Sequence, residues 1–246
     1  MGTVIVITSG KGGTGKTTLS AGISSCLAAI GRRVLCVDMD IGLRNLDLSL
    51  GMSDRAVMDF SDVVEGRCSL ERGAARHPVI QNLWLLTSPM RLPAGHITKE
   101  QMHAFLTQAR QMFDYIILDS PAGIGSGFQL AAAGADRAIV VTTSDPSALR
   151  DAQRTVAELG RHLSDIHLVM NRVQPKVLKR LHTTIDDAMD SAGLPLLGVV
   201  PEDPQVTMAL GEGEPLILVS RRGAAVACLN IAKRIDGQRV ALMKLR

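Results

Sequence analysis

The sequence predicts a single-domain α/β fold, a mainly parallel, twisted sheet of about seven to eight strands with helices on both faces. Three observations predict it. Short runs of almost purely apolar residues recur along the chain, segments with helical periodicity separate most of them, and no Pro/Gly/Ser-rich linker interrupts the 246 residues. Strands that are apolar throughout are buried on both sides, as in parallel sheets covered by helices. A chain of this length can bury a large core as one domain.

The strands are predicted from these apolar runs, each bounded by polar or turn-forming residues. In chain order they are TVIVIT at 3–8, RRVLCVD at 32–38, LWLLT at 83–87, YIILD at 115–119, AIVVTT at 138–143, HLVMN at 167–171 and LLGVV at 196–200.

The helices are predicted from apolar residues three or four positions apart. After the first strand, Leu19, Ile23 and Leu27 recur at this spacing and Gly31 follows as a stop. Further helices are expected at about 98–112, 146–162, 177–192 and 222–235. We expect residues 1–236 to form one domain and residues 237–246 a short basic, amphipathic tail.

Composition excludes several classes of function. Aromatic residues make up only 2% of the chain, which argues against stacking platforms for single-stranded nucleic acid. The four cysteines form no CxxC pair, which fits a reducing cytoplasm. No signal peptide and no run of 18 apolar residues is present. From Arg221 onward the chain holds seven Lys or Arg and one Asp, a basic end that would suit an anionic lipid surface or nucleic acid, or simply face solvent.

A phosphate-binding loop lies between the first strand and the first helix. Residues 10–17 read GKGGTGKT and fit G-x-x-x-x-G-K-[ST] in the strand-to-helix context that this motif requires. Backbone N–H groups and the helix N-terminus favour phosphate there. We expect Lys16 to reach the β- and γ-phosphates of ATP or ADP and the Thr17 hydroxyl to bind Mg²⁺. The expected nucleotide-binding residues are Gly10, Lys11, Gly12, Gly13, Thr14, Gly15, Lys16, Thr17 and Thr18.

A second lysine, Lys11, follows the first loop glycine. A lysine at this place resembles the deviant Walker A class of phosphate loops. That resemblance implies that Lys11 reaches across a dimer interface to the phosphates held by the partner, so that two subunits enclose two nucleotides. The alternative is an exposed lysine that touches only its own nucleotide.

Acidic residues follow two of the strands. Asp38 and Asp40 end the second strand, and Asp119 ends the strand YIILD in the Walker B position. The carboxyl ends of parallel strands share one edge of the sheet, so these acids should surround the loop. We expect Asp38 and Asp119 to serve Mg²⁺, Asp40 to orient or deprotonate the attacking water, and the Gly123 N–H to sense the γ-phosphate.

Weaker signals indicate where the base would bind. Asn171 follows the sixth strand, and Pro201, Glu202 and Asp203 follow the seventh. The stretch after the sixth strand lacks the Asp of the N-K-x-D signature of GTPases, which favours ATP over GTP.

Beyond these motifs, the chain resembles the MinD ATPases of the ParA/MinD family over about residues 3–236. The resemblance is carried by DMDIGLRNLDLSLG, SDVVEGRC, FDYIILDSPAGI, GADRAIVVTTSDPSALRDAQR, LLGVVPED and GEPL. It implies a cytoplasmic bacterial ATPase, peripheral on the inner membrane face, that dimerises on ATP and positions division or polar machinery. It further implies Lys11 as the trans-acting lysine, Asp40 as the catalytic acid, Asn171 and the segment from Pro201 at adenine, and regulatory partners of the MinC and MinE kinds.

Two features depart from the family pattern. Gly125 stands where that pattern has Glu after PAGI, beside the γ-phosphate sensor. The tail, RIDGQRVALMKLR, is shorter than the usual amphipathic membrane helix, and Gly237 separates it from the preceding helix. A helix this short is marginal in water. The tail is therefore expected either to insert into anionic lipid in the dimer, where two copies add avidity, or to pack on the domain.

Three other functions share the loop. A ParA-like partitioning ATPase would bind DNA nonspecifically through the basic C-terminal end. An iron protein like that of nitrogenase needs cluster cysteines that this chain does not place suitably. A small-molecule kinase would need an acceptor for the phosphate. The stretch DIGLRNLD favours the MinD family over the ParA-like alternative.

Overall fold

A computed structural model describes residues 1–93 and 95–243, except for the side chain of Leu181. Within these residues the predicted single-domain α/β architecture is confirmed. The strands are β1 (Thr3–Thr8), β2 (Val34–Asp38), β3 (Ala75–Arg76), β4 (Leu83–Leu86), β5 (Tyr115–Asp119), β6 (Arg137–Thr142), β7 (Ile166–Val173) and β8 (Leu196–Pro201). The helices are α1 (Lys16–Ala29), α2 (Asn45–Ser49), α3 (Phe60–Val64), α4 (Leu70–Gly73), α5 (Lys99–Met112), α6 (Ser126–Ala133), α7 (Pro146–Leu159), α8 (Pro175–Leu181), α9 (Ile185–Ala192), α10 (Pro204–Glu212), α11 (Leu216–Val219) and α12 (Ala224–Ile235).

The described strands form one eight-stranded sheet in the order β3-β4-β2-β5-β1-β6-β7-β8. All neighbours pair in parallel except β3, which runs antiparallel to β4 at one edge. The seven predicted strands are all present. The two residues of β3 were too few to produce a detectable periodicity.

Two apolar layers cover the sheet. In β1, Val4 and Val6 face one layer while Ile5 and Ile7 face the other, and all four are fully buried. Helices α5, α6, α7 and α9 pack on the first face, and α1 and α12 on the second. The alternation of fully buried side chains explains why each strand reads as a continuous apolar run.

The helix predicted at 177–192 is wrong in detail, because two helices occupy this segment. His182 ends α8 in a left-handed conformation with φ +50°. Thr184 then begins α9 by accepting the Asp187 N–H, and the Asp187 side chain accepts the Thr184 N–H in return. This capping box satisfies the free amides of a new helix and favours an interruption over a continuous helix. Six further helices, α2, α3, α4, α6, α10 and α11, were also not predicted.

The described part of the C-terminal tail, residues 237–243, contacts the domain. The Arg234 guanidinium donates to the carbonyls of Val240 (3.0 Å) and Ala241 (2.6 Å), and also to Leu197 on β8 (2.7 Å). Met243 packs against the core layer that contains α1 and α12. Lys244, Leu245 and Arg246, which belong to the predicted amphipathic tail, lie outside the described residues. Among the described helices, none has the length and apolar character needed to cross a bilayer.

Candidate functional site

The glycine-rich loop joins the end of β1 to the start of α1, at the centre of the sheet. Gly13 and Gly15 have φ of +79° and +90°, a conformation in which a side chain is strained. The loop thereby turns sharply into the N-terminus of α1, where unpaired backbone N–H groups favour an anion. Lys16 begins this helix and its residue is only 7% exposed. Thr14 is also buried, with its hydroxyl 3.5 Å from the Lys11 carbonyl oxygen.

The first turn of α1 faces the end of β5. The Thr17 hydroxyl donates to one oxygen of the Asp119 carboxylate (2.7 Å), and the Ser20 hydroxyl donates to the other (2.8 Å). Thr17 and Ser20 lie three residues apart and therefore share one face of the helix. Asp119 is fully buried. The structure thus brings together two of the three residues predicted to bind Mg²⁺, Thr17 and Asp119.

Asp38 lies beside Asp119, because β2 and β5 pair in a register that places the two residues opposite each other. Burial and the nearby Asp119 charge raise the pKa of Asp38 to about 7. Burial raises the pKa of Asp119 to about 6, although the Thr17 and Ser20 hydrogen bonds oppose the shift. Two buried carboxyls with raised pKa values, beside a threonine hydroxyl, are oxygen donors of the kind that a divalent cation binds.

The donor set therefore fits Mg²⁺. The described residues contain no group of three or more His, Cys, Asp or Glu side chains that could hold a metal ion alone. A Mg²⁺ ion at Thr17 and Asp119 would complete its shell with phosphate oxygens and water, as is usual for this ion.

Asp40 lies just beyond β2, half-buried, on a loop held from two sides. One Asp38 carboxylate oxygen accepts the Asp40 N–H (2.9 Å), and the Ser88 hydroxyl donates to the Asp40 carbonyl (3.2 Å). Burial raises the pKa of Asp40 while the Lys16 ammonium opposes the shift. The Asp40 carboxylate is therefore close enough to Lys16 to feel its charge, and Asp38 also supports the loop that carries Asp40.

Gly123 connects the end of β5 to the phosphate loop. Its φ is +82°, and its N–H donates to the Ser9 carbonyl (3.0 Å). A γ-phosphate could take this N–H only if that bond were given up. Gly125 begins α6 without a side-chain cap, and a Cβ built on it would meet nothing within 4 Å. The space for a side chain at position 125 is therefore open in this chain.

Lys11 lies against the start of α7. Its side chain is 44% exposed, donates to the Ser147 hydroxyl (2.7 Å) and lies 3.7 Å from Asp145, both at the start of α7. Asp145 is the N-cap of this helix and accepts the N–H groups of Ser147 and Ala148. One lysine is thus buried in the loop and the other lies on its outer rim.

A cavity of about 340 Å³ opens beside the loop, lined by all four residues predicted to bind the base, Asn171, Pro201, Glu202 and Asp203. The Asn171 amide donates to the Thr14 carbonyl (2.8 Å), so it also fixes the loop. Arg172 has a φ of +54° and pairs with Glu202 (2.8 Å) across the cavity wall. Thr18 lines the same cavity.

The carboxylate of Asp203 is already engaged. One oxygen accepts the Gln205 N–H (3.0 Å) and the other accepts the Ala224 N–H (2.8 Å), so Asp203 caps α10 and supports the start of α12. Asp203 therefore contributes to the cavity by holding this part of its wall in position.

Sequence reasoning missed four residues of this region: Ser20, Arg172, Asp145 and Ser147. Ser20 could have been found from its spacing to Thr17 on the helix. Asp145 and Ser147 could not, because more than 130 residues separate them from Lys11 and only the packing of α7 brings them together.

Comparisons with known proteins agree with this geometry. Residues 5–216 match the family described as CobQ/CobB/MinD/ParA nucleotide binding domain. The septum site-determining protein MinD of Bacillus subtilis is 41% identical over all of this chain and 93% of its own length. MinD in the MinC:MinD complex of Aquifex aeolicus superimposes with a TM-score of 0.91 at 36% identity, over 98% of this chain and 99% of the other. The Mg-ADP complex of MinD from Pyrococcus horikoshii gives a TM-score of 0.83 at 30% identity, over 96% of each chain.

Proposed function

The chain belongs to the MinD group of the CobQ/CobB/MinD/ParA family, and we propose that ATP joins two copies of it into a dimer that acts as a switch. It is a MinD-like, Mg²⁺-dependent ATPase that acts in positioning the division site. A dimer held by nucleotide exists only while the triphosphate is intact, so its lifetime would report the nucleotide state.

The separation of the two lysines carries this proposal. Lys16 is buried at the start of α1, where it would neutralise phosphate charge in its own subunit. Lys11 is exposed on the rim, and its partners Ser147 and Asp145 are themselves exposed. An exposed ion pair contributes little stability, so Lys11 could exchange it for the phosphates of a second subunit at small cost.

The remaining roles follow from position. Mg²⁺ supplies charge neutralisation of the phosphates when it is bound, with Thr17 and Asp119 as its protein partners and Asp38 behind them. Asp40, near Lys16 and held by Asp38 and Ser88, would orient or deprotonate the attacking water. Asn171 and the residues Pro201, Glu202 and Asp203 would enclose adenine in the cavity beside the loop.

Partners can be proposed from the relatives. A MinD from Aquifex aeolicus is known in complex with MinC, and we propose a MinC-like partner for this chain as well. A MinE-like partner that stimulates hydrolysis would shorten the lifetime of the dimer. The tail, with its exposed Leu242, would place the dimer on the cytoplasmic face of an anionic membrane.

The first test is Lys16→Ala, measured by light scattering with ATP, ADP and no nucleotide. The wild-type protein should double its mass only in ATP, and the variant should remain a monomer throughout. The double variant Ser147→Ala/Asp145→Asn should still dimerise, because it removes only the intramolecular partners of Lys11. Dimers of Lys16→Ala that depend on ATP would contradict the proposed loop.

A further inference from the structure

We propose that Ser20 is a positioning residue, which holds the Asp119 carboxylate in the orientation that serves Thr17 and Mg²⁺. This inference rests on the proposed nucleotide site. Ser20 lies in the second turn of α1, beyond the loop motif, and it is completely buried. Its hydroxyl donates to the Asp119 oxygen that Thr17 does not contact.

The carboxylate of Asp119 depends on these two hydroxyls. Among the described residues, the hydrogen bonds to this carboxylate come from the hydroxyls of Thr17 (2.7 Å) and Ser20 (2.8 Å). Both come from one face of α1, so the helix fixes the plane of the carboxylate as well as its position. A buried carboxylate that lost one donor would rotate to share the other, because an unpaired buried oxygen is costly.

The surrounding charges make this support necessary. Asp38 stands opposite Asp119 in the strand register, and its carboxylate repels that of Asp119. Asp40 adds a further negative charge, while Lys16 is the nearby opposing cation. Ser20 holds one carboxylate oxygen against this repulsion and leaves the other directed at Thr17.

Ser20 would therefore affect the metal more than the nucleotide. Groups that hydrogen-bond to a metal-binding residue typically change metal affinity roughly 10- to 100-fold when they are removed. The phosphates, by contrast, would be bound by the loop and the Lys16 ammonium, whereas the Ser20 hydroxyl donates to Asp119.

Ser24 offers a matched control on the same helix. It lies one turn further along α1 and is equally buried, and its hydroxyl is 3.2 Å from the Cys36 thiol, with no hydrogen bond to Asp38 or Asp119 among the described residues. Ser24→Ala removes a buried hydroxyl of the same kind from the same face without touching the site.

The experiment titrates Mg²⁺ into each protein with a fluorescent ADP analogue and measures the half-saturating Mg²⁺ concentration. It also measures affinity for the analogue in EDTA, and the melting temperature. For Ser20→Ala we expect about ten-fold more Mg²⁺ to be required, with unchanged affinity in EDTA. Ser24→Ala should match the wild type in both. Ser20→Cys, with a thiol that donates poorly, should shift in the same direction and replaces Ser20→Ala if that variant does not fold.

The outcomes are distinct. A Mg²⁺ requirement of Ser20→Ala equal to that of Ser24→Ala would overturn the role of Ser20 while leaving the nucleotide site intact. An equal loss of affinity with and without Mg²⁺ would also overturn it, since that result indicates a general disturbance of the loop. A wild-type protein that binds the analogue without any Mg²⁺ dependence would overturn the proposed site itself.

Discussion

At the scale of single residues, the site is a small set of oxygen donors and two lysines whose environments set their roles. Asp38 and Asp119 are buried side by side, whereas Asp40 is only partly buried and lies near Lys16. A residue that acts on water must reach solvent and the phosphates together. The difference in burial therefore favours Asp40 for this role and assigns Asp38 to support.

We predict that Asp40→Ala binds ATP and dimerises but no longer hydrolyses ATP, because the loop and Lys16 are unchanged. Loss of a positioned acid or base typically costs about 10²- to 10⁴-fold in rate. Phosphate release and light scattering on the same sample would measure both properties. Hydrolysis at the wild-type rate would transfer the role to Asp38, and the Asp40→Asn variant, which keeps the size of the side chain, controls for altered packing.

We also predict that two glycines of the loop respond differently to alanine. A Cβ on Gly10 would lie 2.2 Å from the Asp151 carbonyl oxygen on α7, whereas a Cβ on Gly12 would meet nothing within 4 Å. Gly10→Ala should therefore lower the free energy of unfolding by roughly 1–3 kcal/mol through overpacking. Gly12→Ala should stay within about 0.5 kcal/mol of the wild type in urea unfolding without nucleotide. Equal stabilities would mean that α7 is not packed against the loop as described.

At the scale of secondary-structure elements, buried polar contacts join elements that are not neighbours in the chain. His77, between β3 and β4, is an example. Its Nδ1 accepts the N–H groups of Val79 (3.1 Å) and Ile80 (2.9 Å), so its Nε2 carries the proton and donates to the Leu50 carbonyl (3.0 Å) just after α2. This ring is neutral and joins two elements that local periodicity does not connect.

The pH dependence of stability follows from this contact. Burial lowers the pKa of His77 in the folded protein, although the Leu50 hydrogen bond and Glu214 oppose the shift. The unfolded chain therefore binds more protons just below its ordinary pKa of about 6.5, and the stability that the neutral ring contributes is lost as the pH falls below that value.

Thermal melting between pH 8 and pH 5 should show this loss for the wild type and a smaller one for His77→Gln. His182→Gln, on the exposed end of α8, should keep the wild-type profile. A His77→Gln profile parallel to that of the wild type would mean that other groups produce the acid sensitivity.

At the scale of the whole molecule, the phosphate loop, the acids and the base cavity share one edge of the sheet, while the tail leaves from the other end of α12. The Arg234 guanidinium holds the tail at Val240 and Ala241, and Leu242 remains 48% exposed. The described part of the tail is therefore bound to the domain surface, with the side chain of Leu242 only partly covered.

We predict that the protein sediments with anionic liposomes in ATP, but not in ADP, at physiological salt, because two tails in a dimer add avidity. Leu242→Glu should abolish sedimentation without affecting dimerisation. Met208→Glu, on an equally exposed residue of α10, serves as the control for removing surface apolar area. Dimers that form in ATP but do not sediment would mean that the ATP-bound dimer binds a protein or DNA instead of a membrane.

The sequence by itself determined seven of the eight described strands, most long helices, the phosphate-loop motif and the family, because each depends on residues close together in the chain. Periodicity and the eight-residue motif are local signals, and burial on both faces leaves an apolar run that can be read directly. The acids were predicted for the same reason, since each lies at or just after the end of its own strand.

Only the tertiary structure decided how these parts meet. The pairing of Asp38 with Asp119 depends on strand register, the Ser20 contact joins residues 99 apart, and Lys11 meets Ser147 across 136 residues. Side-chain spacing along the chain carries no information on such contacts, because they depend on strand order and helix packing. The break between α8 and α9, at His182 to Thr184, was likewise decided by helix capping. Capping can end one helix and begin another even where the apolar periodicity continues.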